Sequence, residues 1–180
     1  MNELKSLPGV TSVALADTLP LTFNGNTDWI RFVGRAYNGE HNEVNQREVS
    51  SEYFATLQAK LLRGRTFTDA EDLSKPKVAV INQTLAKKYF PGEDPIGQRF
   101  ADIDLNPNSI KEIIGVVDDI REGPLDSEIW PAYYYPFNKL QMSVIQSWSG
   151  LARESSRSYQ RLPMPYVEST RGSLFQVRQR

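Results

Sequence analysis

A buried strand, a capped helix and a Pro-Gly stop follow one another without a break, and this run constrains the fold more than any other part of the chain. Lys77–Ile81 reads KVAVI, the β-branched apolar run of a buried strand. Asn82 is suited to cap a helix over residues 83–90, and Pro91-Gly92 ends that helix. The apolar face of the helix consists of Leu85, Tyr89 and Phe90.

Shorter strands and helices occupy most of the remaining chain. The predicted strands are Val10–Ala16, Trp29–Val33, Val44–Val49, Gln98–Ile103, Ile110–Val117 and Ala132–Phe137. The second and third of these are expected to pair antiparallel. Helices are predicted at the N-terminus, over Asn2–Leu7, and over Ser51–Leu57 with Ser50 or Ser51 as the N-cap, while Thr68–Glu71 has the T-x-x-E pattern of a capping box. Strands that alternate with short helices and hairpins predict an α+β (mixed α/β) fold.

The composition excludes several classes of protein. The chain of 180 residues has no cysteine and a single histidine, His41, so disulfides and sites that need two imidazoles are excluded. No apolar run approaches the ~18 residues that would span a bilayer. The first residues also lack the basic and apolar regions of a signal peptide, and we therefore expect neither a signal peptide nor a transmembrane helix in this chain.

Charge is distributed unevenly and divides the chain at residue 138. Residues 1–138 carry 14 Lys and Arg against 20 Asp and Glu, whereas residues 139–180 carry seven against two together with eight serines. We therefore predict a folded domain over 1–138 and a divergent, disordered basic tail over 139–180. Because an acidic surface repels phosphates, a nucleic-acid partner is not expected for residues 1–138.

Paired acids follow the Pro-Gly stop and raise the question of a catalytic or metal-binding site. Glu93-Asp94 precedes Pro95, and no histidine or second acidic cluster lies nearby in the sequence. In such dipeptides Asp commonly hydrogen-bonds its own backbone, so a turn is the favoured interpretation.

Two further acidic stretches are weighed in the same way. Asp102–Asn108 begins like a calcium loop, but Pro107 and Ile113 stand where such loops require Gly and a bidentate Glu, so a polar hairpin connection is favoured. Asp118-Asp119 and the charges after them, through Glu122, follow an apolar strand without any accompanying catalytic motif. A solvated loop is therefore favoured for them.

Three other features have a structural interpretation and a functional one. His41 lies in a loop between two strands and is expected to be exposed. Asn82-Gln83-Thr84 matches a glycosylation sequon, but the helix cap already explains it. Tyr133-Tyr134-Tyr135 could line a ligand pocket, although alternation on a strand points Tyr134 away from the other two. No catalytic, cofactor-binding or metal-binding residue is therefore predicted.

The motifs taken together, in their order along the chain, resemble the extracytoplasmic core domain of MacB-type ABC transporter permeases, most closely the duplicated permeases of acidobacteria. The resemblance covers roughly residues 4–138. It rests on Leu7–Val10, Leu19–Leu21, Val49-Ser50, Tyr53-Phe54, Leu62–Thr68, Val78–Ala86, Tyr89–Gly97 and Ile114–Arg121.

The resemblance implies a non-enzymatic domain on the periplasmic face of the bacterial inner membrane. It implies a porter-like strand and helix layer with a smaller inserted β-rich part. Its partners would be the transmembrane and ATPase parts of a transporter, with a periplasmic adaptor as a further candidate, and it would transmit conformational change. No cofactor is implied.

The departures from the family pattern suggest a gene fragment. The family places a transmembrane helix, a strand and most of a helix before residue 1, so the domain is expected to be truncated at its N-terminus. From about residue 139 the sequence leaves the family pattern, and a frameshift is one hypothesis for this. The alternatives are a soluble hydrolase-type enzyme that uses acids such as Glu93, Asp94 or Asp119, and a small ligand-binding module.

Overall fold

The computed structural model describes residues 10–18, 20–21, 26–71, 77–137 and 173–178. The strands of this part are β1 Val10–Ala16, β2 Thr27–Phe32, β3 Asn42–Val49, β4 Leu61–Gly64, β5 Lys77–Asn82, β6 Arg99–Asp102, β7 Lys111–Val117, β8 Ala132–Pro136 and β9 Ser173–Arg178. The helices are α1 Tyr53–Thr56 and α2 Gln83–Tyr89. The α+β class is confirmed, with strands in the majority.

The strands join into one mixed sheet in the order β2-β6-β7-β5-β8-β3-β1-β9, with β4 paired to β7. β2 also pairs with β3, as predicted, and the pair is antiparallel. That second pairing closes six strands, β2, β6, β7, β5, β8 and β3, into a ring. Parallel pairing occurs where β5 meets β7 and where β3 meets β8.

The run at residues 77–92 folds as its sequence predicts. The Asn82 side chain accepts a hydrogen bond from the backbone N–H of Leu85 and so caps α2. Leu85 and Phe90 are buried, and Tyr89 packs beside them. The chain then leaves the helix through Gly92, whose φ of 76° lies in the left-handed region that glycine adopts without strain.

One local prediction is wrong, and one strand was not predicted. Neither Ser50 nor Ser51 is the N-cap of α1: Glu52 holds that position without a side-chain capping bond, and Ser50 Oγ instead accepts a hydrogen bond from the backbone N–H of Leu15 on β1. Strand β4 was not predicted, because Leu61 and Leu62 are both exposed and show no alternation. Its pairing depends on a partner far along the chain, β7.

The capping-box pattern at Thr68–Glu71 forms a turn stabilised by its own side chains. The Glu71 carboxylate accepts hydrogen bonds from the backbone N–H and the hydroxyl of Thr68, at 2.6 and 2.8 Å. The residues that would continue a helix, 72–76, lie outside the described part. The predicted helix over Asn2–Leu7 also lies outside it.

Two hydrophobic clusters form the core. One packs α1 and Phe67 against β1, β7 and Tyr134. The other packs α2 against residues of the strand ring, among them Ile30, Ile81 and Tyr133. Alternation along β8 therefore sends Tyr133 and Tyr134 into different clusters, as predicted.

The two ends of the chain are only partly described. Most of the predicted tail, residues 139–180, lies outside the described residues, and its division from residues 1–138 stays a prediction. Within that tail, Ser173–Arg178 forms β9, which pairs antiparallel with β1. The subdivision into a porter-like part and a smaller inserted part also stays a prediction.

Candidate functional site

The acids after the Pro-Gly stop form a turn, as predicted. Asp94 Oδ1 accepts a hydrogen bond from the backbone N–H of Ile96 at 3.1 Å, an Asx turn. The Glu93 carboxylate points away from it and pairs with Arg35 at 2.6 Å. The turn thus directs the two carboxylates to different partners.

The Asp102–Asn108 stretch connects the antiparallel strands β6 and β7, so the predicted hairpin is confirmed. Asp102 Oδ1 accepts a hydrogen bond from the N–H of Asn106, and Asn106 Oδ1 accepts one from the N–H of Asn108. These side-chain oxygens therefore bind the loop's own backbone. Among the described residues, no group of three or more His, Asp or Glu could hold a metal ion.

Asp119 connects the loop after β7 to the first turn of α2. Its carboxylate oxygens accept hydrogen bonds from the backbone N–H and the hydroxyl of Thr84, each at 2.9 Å. A carboxylate at this position satisfies a helix N–H that has no partner within the helix. Asp118 is exposed, as expected for a solvated loop, but Asp119 is only half-exposed and stabilises the start of the helix.

Glu122 is not part of a solvated loop, and this prediction is wrong. Its carboxylate is buried, accepts a hydrogen bond from Arg47 Nε at 2.9 Å and accepts another from the Tyr134 hydroxyl at 3.0 Å. Burial and the negative charge of Glu122 together raise the pKa of Tyr134 well above its ordinary value. Arg47 also donates to the carbonyl oxygens of Asn26 and Gln46.

This cluster was missed because its members are far apart in the sequence. Arg47 lies 75 positions before Glu122. One signal was present. Val49 is apolar and lies two residues after Arg47 in β3, so the two side chains share a face and an inward-facing arginine could have been inferred. Such an arginine requires an anionic partner.

Asn82 and His41 take the roles that the sequence favoured. Asn82 is fully buried, and besides capping α2 it donates to the Trp130 carbonyl and accepts from the Ala132 N–H. The sequon asparagine is thus enclosed by its own fold. His41 is exposed and lies against Trp29, with 4.3 Å between the ring centroids.

Tyr133 and Tyr135 face one side of β8, and both hydroxyls are engaged by neighbouring side chains. Tyr133 is fully buried and donates from its hydroxyl to Asp28 at 2.8 Å, and Tyr135 accepts from Gln46. Lys111 Nζ lies 5.2 Å from the ring centroid of Tyr133 and 5.4 Å from that of Tyr135. Burial is the main cause that lowers the pKa of Lys111.

An open cavity lies elsewhere, between the β2–β3 connection and the end of α2. It has a volume of about 180 Å³ and is lined by Arg31, Phe32, Arg35, Ala36, Tyr37, Glu40, Asn42 and Tyr89. The Arg31 guanidinium stacks on the Tyr37 ring, 4.0 Å from its centroid. Tyr89 precedes the Pro-Gly stop and lines the cavity, and Glu93 follows the stop and pairs with Arg35 of the cavity wall. The segment that suggested a carboxylate site therefore supports one wall of this cavity. We name it the Arg31 pocket.

Neither helix of the described residues is both long enough and apolar enough to cross a bilayer. The described residues form a strand-rich α+β domain in which the acids singled out from the sequence serve turns, a helix cap and ion pairs.

A family model for the MacB-like periplasmic core domain matches residues 2–163. The chain belongs to this family. The predicted membership among MacB-type core domains is confirmed, and with it the periplasmic side as the location of the domain. The match extends past residue 138, where we had predicted the domain to end.

The proteins that resemble the chain include two relatives and one solved structure. The ABC transporter permease YknZ of Bacillus subtilis is 30% identical over 107 residues, covering 59% of this chain and 25% of that protein. The macrolide export ATP-binding/permease protein MacB of Marinobacter nauticus is 24% identical over 136 residues, covering 76% and 19%. The extracellular domain of YknZ from Gram-positive bacteria has a TM-score of 0.51 at 25% identity, covering 79% of this chain and 63% of that one. The chain thus spans a quarter or less of the two full-length relatives.

Proposed function

We propose that this chain is the periplasmic domain of an ABC transporter permease of the MacB and YknZ type, and that it transmits conformational change through protein contacts. The observation that carries the proposal is the family match over residues 2–163. The relatives are named as ABC transporter permeases, which supports the same membrane context for this domain.

The chemistry of the described residues supports a mechanical role without catalysis. Glu93 forms an exposed ion pair, Asp94 a turn, Asp119 a helix cap and Glu122 a buried ion pair. A general acid or base must reach a substrate proton, whereas these carboxylates are engaged with the protein itself. The domain would therefore act by changing which of its surfaces contact the partner proteins.

The partners in this proposal are the transmembrane and ATPase parts of the transporter, and a periplasmic adaptor is a further candidate. The excess of acidic residues in 1–138 argues against nucleic acid. The residue pattern also supports placing the chain in the acidobacterial duplicated permease group, as a finer part of the same proposal.

Cysteine labelling tests the location and the motion together, because the chain contains no cysteine of its own. Leu125 is 75% exposed and Val13 is fully buried. In the permease that carries this domain, expressed with its ATPase, a Leu125→Cys variant should react with a membrane-impermeant maleimide in intact bacteria. Its labelling rate should change when the ATPase is trapped with vanadate.

The matched Val13→Cys variant should stay unlabelled under the same conditions. Labelling of Leu125→Cys only after lysis would contradict the periplasmic location. An unchanged rate on trapping, repeated with a cysteine at exposed Leu61, would contradict the mechanical role.

The proposed lack of catalysis has its own test. In a Glu93→Ala/Asp94→Ala double variant, loss of stability alone fits the turn and the ion pair. Loss of a measurable hydrolytic turnover at unchanged stability would instead establish the enzyme.

A further inference from the structure

The Arg31 pocket contains an arginine whose hydrogen-bonding capacity is largely uncommitted. Arg31 is half-buried and donates one hydrogen bond, from Nη1 to the carbonyl oxygen of Ile103 at 3.3 Å. A guanidinium has five N–H donors. The described residues offer Arg31 no ion pair, since the four ion pairs found among them involve other arginines.

Aromatic stacking holds this guanidinium in place. The Arg31 Cζ atom lies 4.0 Å from the Tyr37 ring centroid. Stacking on a ring leaves the in-plane N–H donors available for a planar acceptor, which is how arginine recognises carboxylates in protein interfaces. Because the ring fixes the plane, less side-chain entropy is lost on binding.

The second arginine of the pocket is fixed by the chain around it. Arg35 donates to the Tyr89 carbonyl at 2.7 Å and to Glu93 at 2.6 Å, and its guanidinium lies 4.6 Å from the Phe90 ring centroid. Its charge is thus shared with Glu93. Arg35 adds positive potential to the pocket wall while Arg31 supplies the donors.

The acidic residue on the wall is also accounted for. The Glu40 carboxylate accepts hydrogen bonds from the backbone and side-chain nitrogens of Asn38, at 2.9 and 3.2 Å. The backbone hydrogen bond from Asn38 is the main cause that lowers the pKa of Glu40, and the charge of Arg31 contributes least. Both carboxylate oxygens of Glu40 are therefore engaged by Asn38 within the β2–β3 connection.

The volume of the pocket sets the size of its ligand. Sites for drug-sized molecules occupy about 300–1,000 Å³. A half-open space of about 180 Å³ lined by Phe32, Tyr37 and Tyr89 accommodates one short side chain with an apolar stem and a charged end. That description matches a Glu or Asp side chain presented by another protein.

We propose that the Arg31 pocket binds the carboxylate of an acidic side chain from a partner protein, with Arg31 donating to the carboxylate and the aromatic walls packing on its stem. This contact does not depend on transport or on the identity of the permease. It assigns a recognition role to Arg31 on β2 and to the β2–β3 connection, which lie outside the stretches on which the family resemblance rests.

Titrations of the isotopically labelled full chain with three probes test this. The probes are a blocked Ala-Glu-Ala tripeptide, its Ala-Gln-Ala counterpart and free propionate, and the readouts are the Arg31 Nε–H and Tyr37 resonances. The Glu peptide should bind with saturable shifts confined to the pocket, and the Gln peptide should bind about tenfold more weakly or not at all. Added salt should weaken the Glu complex.

Variants separate recognition from folding. Arg31→Gln should reduce affinity for the Glu peptide about tenfold, while Arg31→Lys, which keeps the charge but loses the planar fork, should fall between it and the parent chain. Arg65→Gln, which removes a more exposed arginine that is paired to Glu71 outside the pocket, should leave binding unchanged. If Arg31→Gln fails to fold, Tyr37→Leu removes the stacking partner and should reduce affinity in its place.

Three results would overturn the proposal. These are equal binding of the Glu and Gln peptides, unchanged binding after the loss of Arg31, and the absence of saturable shifts with any probe. Propionate binding as tightly as the Glu peptide, with the same dependence on Arg31, would replace the protein partner with a free carboxylate ligand.

Discussion

Arg47 and Arg31 lie in neighbouring strands of the same sheet, yet their surroundings differ in kind. The Arg47 side chain is 2% exposed and meets a carboxylate that is 5% exposed, with a tyrosine hydroxyl completing the set. Arg31 lies in a half-open pocket against Tyr37 and has one backbone carbonyl as its acceptor. The first arrangement is closed and serves the fold, whereas the second retains donors that another molecule can use.

Burial decides how much each charged contact is worth. Breaking a buried pair leaves one ion in a low-dielectric interior, whereas breaking an exposed pair returns both ions to water. The carboxylates of this domain form a series from buried to exposed, in the order Glu122, Asp119 and Glu93. Replacing them one at a time tests whether the contribution of a carboxylate to the free energy of unfolding falls as its exposure rises.

The largest effect is expected at Glu122. Glu122→Ala leaves Arg47 buried without its carboxylate and Tyr134 without its acceptor, so the free energy of unfolding should fall by about 3–5 kcal/mol. Urea denaturation at pH 7 measures this. A double variant, Arg47→Met with Glu122→Leu, removes both charges and should recover most of the loss. A loss below about 1 kcal/mol in the single variant would contradict a closed ion pair.

Asp119 should give an intermediate effect. Asp119→Ala removes both acceptors of Thr84 at the start of α2, and loss of a helix cap costs about 0.5–2 kcal/mol. Asp119→Asn keeps one acceptor and should lose less. Asp118→Ala is the control, since this neighbouring side chain is exposed. Equal losses in the Asp118 and Asp119 variants would show that the cap does not contribute.

These two carboxylates also show where sequence reasoning succeeds and where it stops. The capping role of Asn82 and the turn at Asp94 follow from neighbours within three residues, so both were predictable. Asp119 and Glu122 acquire partners 35 and 75 positions away, and no local pattern separates them from the exposed Asp118 beside them. Contacts of that kind exist only after the sheet has formed.

The Arg31 pocket illustrates the same limit for a candidate site. Arg31 falls in the predicted strand Trp29–Val33, and Arg35 and Tyr37 fall in the connection after it; nothing in these residues alone indicates a pocket. The wall that turns this connection into a pocket comes from Tyr89, more than fifty residues later. The resemblance to a family named the domain without pointing to this surface, because the residues that identified it serve mainly turns, strands and helix ends.

A smaller effect is expected for the exposed pair. Glu93→Gln keeps the shape of the side chain and removes its charge, so the Arg35 pair should contribute about 0–1 kcal/mol to the free energy of unfolding. The same urea titration, repeated at high salt, should reduce the difference further. A loss of stability as large as that of Glu122→Ala would contradict the distinction between the exposed Arg35–Glu93 pair and the buried Arg47–Glu122 pair.

Replacing Asp17 should stabilise the domain instead of destabilising it, and this change in the free energy of unfolding is expected to be the smallest of the series. Burial is the main cause that raises the pKa of Asp17 above its ordinary value of 3.8, and the nearby charge of Arg47 opposes that shift only in part. Its Oδ1 atom is buried, with no hydrogen-bond partner among the described residues. Folding therefore favours the protonated carboxyl, so its stabilising contribution is complete below pH 3.8 and is lost as the pH rises through the raised folded-state pKa.

Asp17→Asn consequently should raise the urea midpoint at pH 7, because it removes a charge that the interior disfavours, and this gain should disappear at pH 3. The variant leaves the buried Arg47–Glu122 pair unsubstituted. A lower midpoint at pH 7 would mean that the attraction of Arg47 for Asp17 outweighs burial. Arg47 would then be shared between Asp17 and Glu122, and its charge would not be fully matched by Glu122 alone.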